Sequence, residues 1–196
     1  MDAKENKLIF ERVFNRKKDH PTEWLFSSSN LMAAADALWK SCRESCLPDG
    51  EPIHPENVDL DDPATMLYGY AVETAIKACL IKKFGSYDRA EKTAGTAWSH
   101  NLPVLARLTG LTVTKDQLLL LETLRAFALW AGRYPISKKQ ECYILPKQLN
   151  AAANMTPCRM QSCDKALLEP FMKDLRDYVW GKAIRGDPFN VPAEQL

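Results

Sequence analysis

The residues in this chain whose types suit chemistry are few: Glu73 and Lys77, four apart; His100 and Asn101, adjacent; and Arg133 and Tyr134, which follow Gly132 in "LWAGRYPIS". A glutamate and a lysine at that spacing share one helix face and pair along it. His100 lies between Trp98 and a short leucine-rich segment. An imidazole there suits proton transfer or a phosphate contact, and equally a structural role in which the ring bonds backbone around a helix start, which is the expectation. A guanidinium at a helix end is favoured by the exposed carbonyls and can also reach toward an anion. Glu73 decides between these roles for Arg133. Paired with Arg133, the expected arrangement, it locks helix packing; paired with Lys77 alone, it leaves the guanidinium to a phosphate.

Other candidates carry less. His20 and His54 lie in polar stretches that read as exposed. Cys42 and Cys46 stack on one helix face, and Cys158 and Cys163 lie further along, but no short CxxC pair of the zinc-ribbon kind is present, so all six cysteines read as reduced thiols and no metal is expected. The phosphate-loop, HExxH and dinucleotide patterns are missing, which leaves no cofactor to expect. Near the start, "ERVFNRKKDH" interleaves Arg12, Arg16, Lys17, Lys18 and His20 with Val13 and Phe14, a run that either contacts RNA phosphates or is simply solvated.

The elements that must position these groups are helices. At 196 residues, 46% hydrophobic and 26% charged, the chain fits one soluble domain spanning residues 1–196. No apolar run approaches the ~20 residues of a membrane span, and "MDAKENKLIF" lacks the apolar region of an export signal, so the expected address is the cytoplasm, without membrane partners. Net charge is +1, yet six acids and no Lys or Arg fall between Asp49 and Asp62, while eighteen Lys or Arg against ten acids fall between Pro63 and Arg185. A basic body of that kind attracts a polyanion if its charges gather on one face.

Periodicity places core helices at about 30–46, 63–84, 101–110, 115–132 and 164–182. The first follows the cap signal "SSSN" and buries Leu31, Ala34, Ala35, Leu38 and Cys42; the second opens at Asp62-Pro63 and stops at Gly85, with alanines that admit a close neighbour. Thr114 caps the fourth and Gly132 ends it; Pro170 kinks the last or marks its true first turn. Residues 47–62 read as a proline-rich acidic surface loop, "GSYDRAEKTAGTAWS" as a second loop, and 186–196 as a frayed tail. No period-two strand pattern is visible. The fold class is therefore all-α: an antiparallel bundle of about four long helices with one or two short ones.

The segments "YGYAVETAIKACLIKKFG", "HNLPVLARLTGL" and "LLETLRAFALWAGRYP", in that order, resemble the helical HEPN superfamily, and more closely its bacterial members with a Gly-Arg-Tyr-Pro ending. The likeness spans residues 63–135, with a weaker echo in "SCDKALLEPFMKDLRDY". It implies an HEPN-like bundle that forms a homodimer, acts with RNA or a nucleotide or a cognate partner protein, and belongs to prokaryotic stress, toxin–antitoxin or defence systems. Catalytic members carry an arginine followed four to six residues later by a histidine, and cleave RNA across the dimer without metal. This chain departs from that pattern: Arg16 and His20 have three residues between them, Arg12 and His20 have seven, and the nearest arginine before His100 is Arg89. The resemblance thus carries over Glu73, Lys77, His100, Asn101, Arg133 and Tyr134 as members of matching segments. The expectation is an RNA- or nucleotide-binding module without the intact nuclease motif. Its alternatives are an endoribonuclease using Arg133 and His100 from separate segments, and a non-catalytic scaffold or oligomerisation domain.

Overall fold

Ala78, Cys79, Leu80 and Ile81 are consecutive and all buried, so the helix that carries them has no face left for water along that turn. In the computed structural model, which describes residues 3–44, 60–131 and 162–181, that helix lies at the centre. The order is α1 (Ala3–Lys18), α2 (Pro21–Glu44), α3 (Asp61–Phe84), α4 (Tyr87–Ala94), a 3-10 turn (Gly95–Trp98), α5 (Leu102–Thr109), α6 (Lys115–Ala126), a π-helical turn (Phe127–Ala131) and α7 (Ser162–Trp180). Among the described residues the protein is all-helical, with no strand. None of these helices is long and apolar enough to cross a membrane. α3 packs most extensively on α2 and also touches α4, α5, α6, the π-turn and α7.

Several boundaries differ from the sequence expectation, each for a local reason. α2 begins at Pro21 rather than after "SSSN". Proline suits a first helical turn, and the serines spend their protons elsewhere: Ser27 Oγ donates to Glu23 O at 3.2 Å and the buried Ser28 Oγ to Ala71 O of α3 at 2.7 Å. The earlier start turns the buried stripe of α2 to Leu25, Ser28, Ala35 and Trp39, leaving Ala34 exposed and Leu31, Leu38 and Cys42 half-buried. The basic stretch before it, read from the sequence as a run that contacts RNA phosphates or is solvated, lies in helix α1, whose Ile9, Phe10, Val13 and Phe14 stay exposed.

α3 starts at Asp61, so Asp62 lies in its first turn instead of capping it; the preceding Leu60 supplies no side-chain bond. Carboxylates in a first turn still complement the helix dipole. The expected loop after Gly85 folds into α4 and the 3-10 turn, because Ser86 Oγ accepts from Arg89 N at 3.3 Å and Asp19, at the break between α1 and α2, accepts from Tyr87 N at 2.8 Å. α6 opens on a capping box in which Gln117 N donates to Thr114 Oγ1 at 3.2 Å and Thr114 N donates to Gln117 Oε1 at 2.9 Å. It then widens into the π-turn at Phe127; the expected stop at Gly132 lies outside the described residues. α7 starts at Ser162, which puts Pro170 inside the helix and not in its first turn. The acidic loop expected over 47–62 falls within the described residues only from Leu60 on, and the tail expected over 186–196 lies outside them.

α3 fixes its neighbours by close approach and by polar ties. A Cβ on Gly69 would sit 2.7 Å from Leu124 O and 3.2 Å from the Ala128 Cβ, so glycine lets α6 and the π-turn lie against α3. The Tyr70 hydroxyl donates to Ala128 O at 3.0 Å in that turn. At the far end Lys82 Nζ donates to Tyr178 O at 2.7 Å and Val179 O at 3.2 Å, and Lys83 Nζ to Leu108 O at 2.9 Å and Thr109 O at 3.3 Å. Those are the last carbonyls of α7 and α5, where a cation is favoured. Among the described residues Cys42 and Cys79 form no disulfide; Cys79 Sγ donates to Leu175 O at 3.4 Å, and burial pushes its pKa far up, the setting of an inert structural cysteine.

Asp36 Oδ1 on α2 accepts from the Tyr68 hydroxyl of α3 at 2.6 Å and pairs with Lys165 Nζ of α7 at 2.7 Å, so one carboxylate joins three helices. Burial works to raise its pKa, but the hydrogen bonds from Lys165 and Tyr68 outweigh that, and Asp36 titrates below its ordinary value of 3.8.

Two measurements check this packing. Overpacking costs about 1–3 kcal/mol and the gain in helix propensity offsets about 1, so Gly69→Ala should lower unfolding free energy in urea by up to about 2 kcal/mol. Because the folded-state pKa of Asp36 is depressed, its contribution is present above the ordinary aspartate value and is lost as pH falls through the depressed one. Asp36→Asn should therefore reduce the loss of urea midpoint seen in wild type below about pH 4.

Candidate functional site

Glu73 lies in the middle of α3, where the helix is surrounded, and its side chain is 8% exposed. A carboxylate there needs partners, since desolvating an unpaired charge costs several kcal/mol. It has two. Lys77 Nζ, one turn along the same helix, lies 2.6 Å from Oε1, and His100 Nδ1 lies 2.6 Å from Oε2. The lysine is itself 13% exposed and lies 4.8 Å above the ring centre of the buried Trp98, so its charge meets a carboxylate and an aromatic face together.

His100 enters from the junction between the 3-10 turn and α5. It is the one non-glycine residue among those described with a positive φ, 66°. For a residue with a Cβ that backbone conformation costs about 1–2 kcal/mol, and such strain gathers where a side chain must be aimed. Here the ring is aimed at Glu73, not at backbone around the helix start as the sequence suggested. A carboxylate accepts, so Nδ1 carries the proton, and a neutral ring then leaves Nε2 as an acceptor. The side chain is 32% exposed, and its ring centre lies 6.3 Å from that of Tyr70. An imidazole oriented by a carboxylate and open on its other side is arranged for proton transfer.

The structure therefore brings together Glu73, Lys77 and His100. Asn101 is adjacent and half-buried but makes no side-chain cap to α5. Arg133 and Tyr134 lie outside the described residues, as does the expected Glu73–Arg133 pair; within the described residues both Glu73 oxygens are engaged. No group of three or more His, Cys, Asp or Glu among those residues could hold a metal ion.

Residues of α1 to α4 line a groove of about 690 Å³, within the ~300–1,000 Å³ of small-molecule sites. α1 gives it Phe14, Lys17 and Lys18, and α2 gives it Glu23, Trp24 and Ser27; Thr74 of α3 and Tyr87 of α4 complete it. Trp24 stacks on Tyr87 at 5.6 Å between centroids, and Tyr87 meets Trp98 edge-on at 5.1 Å and accepts its Nε1–H at 3.0 Å. Through these rings the groove connects with Lys77 and Glu73. Lys18 pairs with Asp88 at 2.5 Å and lies 4.6 Å above the Tyr87 ring, and its pKa is raised by that Asp88 bond. Lys17 has no acidic partner among the described residues. Sequence reading marked the basic run but missed Glu23, Trp24, Ser27, Thr74 and Tyr87. The signal that would have found Trp24 is His20-Pro21 as a helix start, which places its indole one turn into α2.

Compared with family models, with curated proteins and with solved structures, the chain matches none of them.

Removing one member of a buried pair leaves the other uncompensated, so Glu73→Ala should lose about 3–5 kcal/mol of unfolding free energy. Adding Lys77→Met should restore part of that loss, read as a positive coupling in a double-mutant cycle by urea denaturation.

Proposed function

We propose that this protein is a helical module of the HEPN type that binds RNA or a nucleotide without cleaving it, in the prokaryotic stress, toxin–antitoxin or defence setting that the resemblance implies. The observation that carries the reading is the groove between α1, α2, α3 and α4, where Lys17 and Lys18 adjoin the stacked rings of Trp24 and Tyr87. Cations answer phosphates and aromatic rings answer bases, and few other ligands ask for both. The resemblance adds to this because Glu73, carried over from a matching segment with Lys77 and His100, is bonded to both of them, and Lys77 lies over Trp98, whose indole donates to Tyr87 of the groove.

One observation favours a second reading, an endoribonuclease. The Glu73 carboxylate holds His100 by Nδ1 while a third of its side chain stays open. That ring would move a proton at the RNA 2′-hydroxyl, and Arg133 would neutralise the phosphate.

Fluorescence anisotropy with labelled single-stranded RNA tests both. Binding should weaken as salt rises, with a log–log slope of about −0.7 per phosphate neutralised. RNA binding that is absent at low salt, together with nucleotides that fail to bind in calorimetry, overturns the reading. Intact RNA after long incubation supports the binding module, whereas cleavage lost in both His100→Ala and Arg133→Ala establishes the nuclease instead.

A further inference from the structure

The uncharged hydrogen-bond donors that line the groove are all spent inside the protein. Trp24 Nε1 donates to Lys18 O at 2.9 Å, Ser27 Oγ to Glu23 O at 3.2 Å and Thr74 Oγ1 to Tyr70 O at 2.6 Å, and the Tyr87 hydroxyl donates to Glu91 Oε1 at 3.4 Å. What remains for a ligand is a set of acceptors, namely the lone pairs of Ser27 and Thr74 and the carboxylate of Glu23, which is exposed and unpaired among the described residues. The charged donor that remains is Lys17, which has no acidic partner among the described residues.

A site with acceptors, an aromatic wall and a lone cation selects its ligand by chemistry. The ligand must carry a flat ring, a hydrogen-bond donor on the edge of that ring, and an anion. The geometry points to a groove that takes a nucleobase bearing an exocyclic amine and a phosphate, with the amine donating to Glu23 and the phosphate on Lys17. This deepens the proposed RNA- or nucleotide-binding role and rests on it. A purine with hydrogen in place of the amine would leave the Glu23 carboxylate without that donor.

The test compares AMP with purine riboside 5′-monophosphate, which carries hydrogen in place of that one group, by isothermal titration calorimetry on the full chain. A 5′-phosphorylated oligoadenylate titrated beside them separates the two sources of the chemistry: affinity for AMP alone marks a free nucleotide, and equal affinity for the oligomer marks an RNA end. AMP should bind about tenfold more tightly than the purine monophosphate that lacks the amine. Glu23→Gln, at an exposed position, should bring the two within about twofold, because a neutral amide accepts from the amine less strongly than a carboxylate. Equal affinity of the wild type for the two nucleotides overturns the inference, as does a preference that Glu23→Gln leaves unchanged. Salt-sensitive RNA binding without a preference for AMP overturns it while leaving the proposed function standing.

Discussion

A carboxylate buried in a helix surrounded on all sides has to be met by cations or donors brought from elsewhere, and Glu73 imposes that requirement on this protein. Lys77 meets it from the same helix, at no cost in chain topology. His100 meets it from across the packing interface, and the backbone there adopts a left-handed conformation to deliver the ring. The two contacts differ in kind. The first follows from helix geometry alone, while the second requires α4, the 3-10 turn and the start of α5 to be in place. Glu73 therefore ties the order of the segment after Gly85 to the burial of α3.

That dependence accounts for the proximity of the groove. Trp98 has to lie against Lys77 to shield the ion pair, Tyr87 accepts the indole proton of Trp98, and Trp24 stacks on Tyr87. Each aromatic is held by the one before it, starting from a charge that must not be left in apolar surroundings. The outermost ring, Trp24, is consequently rigid, and a rigid stacking surface loses little entropy when a ligand covers it.

Much of the all-helical character was legible because it rests on local signals. Thr114 with Gln117, Gly85 and Gly110 mark helix ends by backbone chemistry that needs no tertiary context, and Leu120, Leu121 and Leu124 of α6 recur at helical spacing. The misplacements have a common cause. "SSSN" reads as a cap only if its hydroxyls are free to cap, and the structure gives the Ser28 proton to α3. "GSYDRAEKTAG" reads as a loop because α4 buries little beyond Ala90 and depends on Asp19, almost seventy residues earlier, to cap it. The Glu73–Lys77 pair was legible from spacing, but the distance between Glu73 and His100 depends on how three elements fold back, which no local pattern encodes.

The adjacent lysines at the end of α3 reach in different directions and grip the last carbonyls of α7 and α5. Their acceptors are peptide oxygens, which have no acidic proton to regain, and an ammonium keeps its charge in acid. The opposite side of α7 is held to α2 through Asp36, whose carboxylate does surrender its charge when protonated. Acid would thus release one tie between α7 and α2 while leaving the lysine grips of α3 on α5 and α7 in place.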